Sequence, residues 1–356
     1  MKKKKGKKVC VGIVVAIAII LMISKINHEI RLKQETKVLQ QYDVGEQIDI
    51  NRKKINIYTA GNSSADNTIV YMHGLGMGDT TITARPMLEQ LEDNFKISII
   101  DRYGNGMSDD TNDKQTVRKI IEEYRNALKN INQEAPYILI AHSISGIYAT
   151  YWAQNYPNEI KAIIYLDADP VECFVEEGKV DLLTLFLSKV EYLASSLGLQ
   201  RLFVSDSMLI GKVENQIFED EQNTMRKYLL YQHTYSKATC SEMELYYENA
   251  KTVLDGDMNF NIPQLYIVAN DVEGEYYEEV YKELLENQFN GDKEKIGNKV
   301  DRRKRIINDK ISYMNRRSNI DVVELSGPHC IYEYNPSKVS SVINEYLDNI
   351  VNCKMD

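Results

Sequence analysis

Cysteine is scarce in this chain. The 356 residues hold five, at Cys10, Cys173, Cys240, Cys330 and Cys353. None stands in a CxxC pair or at metal-ligand spacing, so neither a disulfide framework nor a metal site is indicated. No metal motif, phosphate-binding loop or dinucleotide fingerprint occurs, so no cofactor is implied. Positive charge is also short. The formal net charge is −9, yet residues 1–8 carry six lysines and no acid. Subtracting those six charges leaves the remaining chain at −15. So acidic a body argues against a nucleic-acid partner.

What is present begins at the N-terminus. After the lysines, Val9 to Ile23 is an uncharged apolar run, closed by Lys25. A basic flank before such a run reads as a targeting segment. The run is short for a full span, but lysines on both sides can snorkel. Ser24-Lys25-Ile26-Asn27 offers no small-x-small cleavage site. The expectation is therefore a single membrane anchor at the cell membrane, lysines inside and the body on the extracytoplasmic side. A secreted protein with a cleaved signal peptide is the alternative. His28 to Gln41 is polar and reads as a helical stalk, with His28 solvated.

The body alternates strands and helices. Gln47–Ile50 and Ile55–Ala60 read as a hairpin turning at Asn51–Lys54. Thr68–Met72, Phe95–Ile100, Tyr137–Ala141, Ala162–Leu166, Gln264–Ala269 and Ile320–Leu325 read as further strands. Thr80–Leu91, with Pro86 as an irregularity, Gln115–Ile131, Ile144–Asn155 and Lys338–Ile350 read as helices. The fold class is thus α/β, a mostly parallel sheet covered on both faces. Two gaps interrupt it. Val171 to about Asn261 has apolar residues at helical spacing and reads as a helical cap over the strand ends. Met208, Met225 and Met243 are candidates for its pocket or for its own core, and His233 for a packing role. Val272 to Asn319 is charged and reads as a solvated helix or two. The organisation is 1–26 flank and anchor, 27–46 stalk, 47–170 first part of the core, 171–261 cap and 262–356 second part.

The chemistry centres on Tyr137–Gly146, YILIAHSISG. Ser143 sits between a strand and a helix, flanked by the small residues Ala141 and Ser145. That is the pattern of a nucleophile elbow, G-x-S-x-G in its usual form. Serine needs a base within hydrogen-bond reach. His329, in GPHCIYEYNP after the last strand, is the candidate. An acid between the two in the chain should orient it. Asp271 after QLYIVAN is favoured, with Asp167 and Asp169 in LDADP and Glu273 as rivals. Two backbone amides should hold an oxyanion. Ile144 supplies one, and Leu75 in the glycine-rich HGLGMG loop the other. His73 and His142 read as packing residues.

HGLGMG, DRYGNGMSD (Asp101 to Asp109), AHSISG, LDADP, IPQLYIVAND and GPHCIYEYNP together resemble the α/β-hydrolase superfamily, in its branch with a helical cap. The resemblance covers roughly Gln47 to Ile350. It implies an eight-stranded sheet and a triad of Ser143, Asp271 and His329. It also implies that Gly104 and Gly106 shape a turn and that Arg102 is structural. A carboxylic ester is the implied substrate. An amide or peptide, as in proline-releasing aminopeptidases, is the alternative, and carbon–carbon hydrolysis a further one. A serine at the elbow argues against dehalogenase and epoxide hydrolase chemistry, which the family runs with an aspartate there. A non-catalytic binding protein on the same fold is the reading from another class. The oligomeric state is not legible.

Overall fold

The computed structural model describes residues 2–50, 52–211, 217–233 and 235–352. Eight segments form one sheet: β1 (Glu46–Ile50), β2 (Lys53–Gly61), β3 (Thr68–Met72), β4 (Lys96–Asp101), β5 (Tyr137–His142), β6 (Ile160–Leu166), β7 (Gln264–Asn270) and β8 (Ile320–Ser326). Their order in space is β1-β2-β4-β3-β5-β6-β7-β8. β1 pairs antiparallel with β2, and β2 antiparallel with β4. The other pairings are parallel. The opening hairpin is as expected, although Asn51 of its turn lies outside the described residues.

The central strands read as unbroken apolar runs because both faces are covered. Alternate residues serve different layers. Val70, Leu139 and Ile163 enter the core on one face; Ile69, Ile138 and Ile164 enter the core on the other. The chain begins as one long helix, α1 (Lys2–Gln41). On the first face lie α2 (Val117–Asn130) and α3 (Ser145–Asn155). Thr116 caps α2, and Val117, Ile120, Ile121, Tyr124 and Leu128 form its buried stripe. The cap contains α4 (Val171–Glu177), α5 (Leu182–Ser196), α6 (Asp220–Gln232) and α7 (Lys237–Leu254). Beyond β7, α8 (Lys293–Met314) packs against the sheet, and α9 (Pro336–Asn352) covers the second face through Val339, Ile343 and Leu347.

Three expectations change. The helix expected over Thr80–Leu91 is three short turns, Thr80–Thr83, Arg85–Leu88 and Glu89–Leu91. Pro86 has no amide to continue the ladder. The charged second insertion is not merely solvated: Ile307, Lys310 and Met314 of α8 are buried. The stalk is not free-standing, and His28 is buried rather than solvated. Ser24 Oγ donates to the Leu197 carbonyl at 2.8 Å, and Arg201 Nε donates to His28 Nδ1 at 2.8 Å. Arg201 also grips Glu35 with two bonds, at 2.7 and 2.6 Å. Leu39 then packs with Ile82, Met225 and Leu229. Among the described residues α1 is the one helix long and apolar enough to cross a membrane.

Candidate active site

Ser143 follows β5 directly and has φ 56°, a left-handed conformation that a non-glycine residue rarely adopts. At the start of α3 the chain passes the loop after β6 at very short range. A Cβ on Gly146 would lie 2.8 Å from the Ala168 Cβ. The indispensable glycine thus stands one residue beyond the pattern's second glycine position. Ser145, at that position, uses its hydroxyl: Oγ donates to the His73 carbonyl at 2.6 Å. Ile144 is the N-cap residue of α3, at the end where amides are unsatisfied within the helix.

His329 lies beyond β8, as expected. Its Nδ1 is 2.5 Å from Asp167 Oδ2. The acid beside the imidazole is therefore Asp167 and not Asp271. Each rival acid meets a cation of α8, and Lys310 of that helix also reaches Asp167. Asp271 pairs with Arg303 at 3.1 Å, Glu273 with Lys304 at 2.8 Å and Asp169 with Lys310 at 2.7 Å. Asp167 follows β6 with φ 43° and is almost wholly buried. The Ala269 amide donates to its Oδ1 at 3.2 Å, and Lys310 Nζ lies 3.5 Å from the same oxygen. Burial alone would raise this carboxyl. Lys310, His329 and the Ala269 amide outweigh it and hold the group below the usual carboxylate range. An ionised Asp167 accepts from Nδ1–H, which leaves the His329 Nε2 lone pair free to take a proton.

Another histidine, His142, buttresses this arrangement. The His142 ring stands 4.6 Å from that of His329, centroid to centroid, and its Nε2 is 3.2 Å from the His329 carbonyl. Burial, then the neighbouring His329, push His142 down to about 3, so it stays neutral. His73 is fully buried and is likewise held well below its ordinary value, by burial and then Arg102. No hydrogen bond joins Ser143 Oγ to His329 among the described residues; such contacts are often loose before substrate binds.

Ser143 opens into a cavity of about 470 Å³, which Leu75 and Ile144 also line. Asp169, Phe174, Val180, Thr184, Met243 and Tyr246 complete much of its wall. Of the three methionines considered for a pocket, only Met243 contributes. Met225 is in the core beside Leu39, and Met208 is exposed.

Arg102 underlies the loop that carries Leu75. It is buried and donates to the carbonyls of His73 at 2.7 Å and Gly74 at 3.0 Å. Its other face meets Glu242 of α7 through Nε at 3.1 Å and Nη2 at 3.0 Å. Tyr148 Oη also donates to Glu242, at 3.0 Å. Holding the Gly74 carbonyl turns the Leu75 amide, on the opposite edge of the same trans peptide, away from Arg102. Gly106 has the positive φ expected of a turn residue, and a Cβ there would lie 2.1 Å from the Asp101 carboxylate.

Comparison with known proteins agrees with this architecture. The family model for the alpha/beta hydrolase fold matches residues 67–271, more than half of the chain. The uncharacterized protein YbdG of Bacillus subtilis is 27% identical over 311 residues, covering 85% of each chain. Among solved structures, the epoxide hydrolase CorEH superposes with a TM-score of 0.60 at 14% identity, over 86% of this chain and 98% of its own. The enol-lactonase of Burkholderia xenovorans LB400 gives a TM-score of 0.57 at 13% identity, over 85% of this chain and all of its own (100%). The chain belongs to the alpha/beta hydrolase fold family.

Proposed function

We propose that this chain is a serine hydrolase that cleaves a carboxylic ester through an acyl-enzyme. One observation carries the reading: a serine on a strained elbow lines the same cavity as Leu75 and Ile144, and the ring of its chain neighbour His142 stands 4.6 Å from an imidazole already bonded to a buried carboxylate. Ser143 Oγ attacks the substrate carbonyl while His329 Nε2 takes its proton. Asp167 holds the imidazole tautomer and stabilises the imidazolium. The amides of Leu75 and Ile144 receive the negative charge that develops on the carbonyl oxygen. His329 returns the proton to the leaving alcohol. Water then enters, is deprotonated by His329 in turn, and releases the acid.

The apolar helix supports a membrane anchor, with the hydrolase domain on the extracytoplasmic side. The contacts of Ser24, His28 and Glu35 with the cap favour retention of α1 over cleavage. Alkaline carbonate extraction of membranes should leave the full chain in the pellet; release into the supernatant would remove the anchor. The hydrolase reading is tested with a fluorophosphonate probe. It should label the wild type and fail to label Ser143→Ala. Equal labelling of the two, or none of the wild type, would favour a non-catalytic protein. A panel of esters run beside amides then separates ester from peptide cleavage.

A further inference from the structure

Helix α5 is built inside out. Leu182, Leu183, Phe186, Leu187, Val190 and Leu193 recur at helical spacing and all are exposed, Leu182 by 85% and Phe186 by 62%. Its buried residues are Ser188 and Ser195. A helix on a water-facing surface carries the opposite pattern, and an exposed apolar stripe of this length marks a contact surface.

The two ends of α5 indicate what covers the stripe. Just past its C-terminus, the Leu197 carbonyl accepts from Ser24, the residue after the uncharged run of α1. Gly198 packs against α1 so closely that a Cβ there would lie 2.5 Å from the His28 Cβ. Leu202 and Phe203, next along the chain, are exposed as well. At the other end, Asp181 and Thr184 line the cavity that holds Ser143. One exposed apolar face therefore leads from the edge of the membrane-length run to the mouth of the candidate site, along about 22 Å of helix.

We propose that α5 lies in the headgroup–acyl boundary of the bilayer that α1 crosses, and that the site takes an amphiphilic ester with a long acyl chain from that surface. This rests on the serine-hydrolase reading above. Phe174, Val180, Met243 and Tyr246 give the cavity apolar lining for such a chain, and Asp169, Glu177, Lys179 and Asp181 line it as well.

The test uses the full chain in phosphatidylcholine vesicles. Trp152 is the sole native tryptophan and is fully buried, so it gives a shielded background. Tryptophan is introduced as Phe186→Trp on α5 and as Glu345→Trp on the exposed face of α9. Brominated lipid should quench Phe186→Trp several-fold more strongly than Glu345→Trp. Equal quenching would overturn the membrane contact, and a concentration-dependent shielding of Phe186→Trp without lipid quenching would give the stripe to a second copy. Phe186→Glu with Val190→Glu should lower turnover of a long-chain ester held in vesicles by about tenfold. The same variant should hydrolyse a short water-soluble ester at the wild-type rate. Equal losses on both esters, or none on the vesicle ester, would overturn delivery from the surface. A wild type inert on both would overturn the hydrolase reading itself, while quenching still decides the membrane contact.

Discussion

Asp167 and Asp271 end adjacent strands, yet only Asp167 touches the imidazole, while Asp271 is matched to Arg303. Their substitutions should therefore differ in kind. Asp167→Asn keeps the shape but favours the wrong tautomer of His329. It should lower kcat by about three to four orders of magnitude with little change in KM. Asp271→Asn should leave kcat within about threefold and cost about 1 kcal/mol in unfolding free energy. Steady-state kinetics and thermal unfolding on the same preparations check both. Arg102 acts differently. Removing it alone strands Glu242 as a buried unpaired charge, at a cost of about 3–5 kcal/mol. Arg102→Met combined with Glu242→Leu should recover most of that stability. It should not recover turnover, because the His73 and Gly74 carbonyls lose their clamp and the Leu75 amide its aim. A kcat about a hundredfold below wild type, with near-native melting, is expected. Full activity in the double variant would make Arg102 a purely structural cation.

Elements explain why some of this was readable in the chain and some was not. The strands and the elbow were legible because their signals are local: an apolar run, a small-residue turn and a helix within ten residues. His329 was legible because a loop after the last strand must return over the carboxyl ends of the sheet. Which carboxylate meets it was not legible, because Asp167 and Asp271 both follow strands of the sheet and local sequence does not say which one the imidazole reaches. Arg303, Lys304 and Lys310 lie in a charged stretch that reads as solvated, and nothing local tells which carboxylate each will meet. The docking of α1 was hidden for the same reason. It depends on Ser24, His28 and Glu35 finding Leu197 and Arg201 across more than 160 residues of chain. Gly198 is the tight point of that joint. Gly198→Leu should force α1 off the cap, costing about 1–3 kcal/mol and exposing the segment between Lys25 and Arg31 to trypsin. Unchanged cleavage and melting would mean that the joint yields without opening.

The pH dependence of stability of the molecule as a whole should contain a contribution from two buried acids, Asp101 and Glu123. Asp101 is buried beneath the turn at Gly106, and burial raises it to about 7 despite bonds from the Met107 amide and Asn56. Glu123 of α2 is likewise raised by burial to about 7, against the pull of Lys119. In the unfolded chain both carboxyls lose their protons near pH 4. Between about pH 4 and 7 the folded state therefore binds more protons than the unfolded one. The contribution of these two groups to unfolding free energy must then fall as pH rises through that window, by up to about 1.4 kcal/mol per pH unit for each group. Asp167 has the opposite sign. Its carboxyl is held low, so its contribution is complete above about pH 4 and is lost only as pH falls through the lowered value. The histidines His73, His142 and His233, all held below their ordinary value by burial, oppose the two acids up to about pH 6.5, because the unfolded chain binds protons that the fold excludes. In detergent micelles, the full chain carrying Asp101→Asn with Glu123→Gln should therefore show a melting temperature at pH 7.5 that is higher, relative to its value at pH 5, than in the wild type, because neither amide titrates. An equal change in melting temperature between pH 5 and 7.5 in the wild type and the variant would mean that both carboxyls are already ionised inside the fold, paired more strongly than Asn56 and Lys119 alone allow.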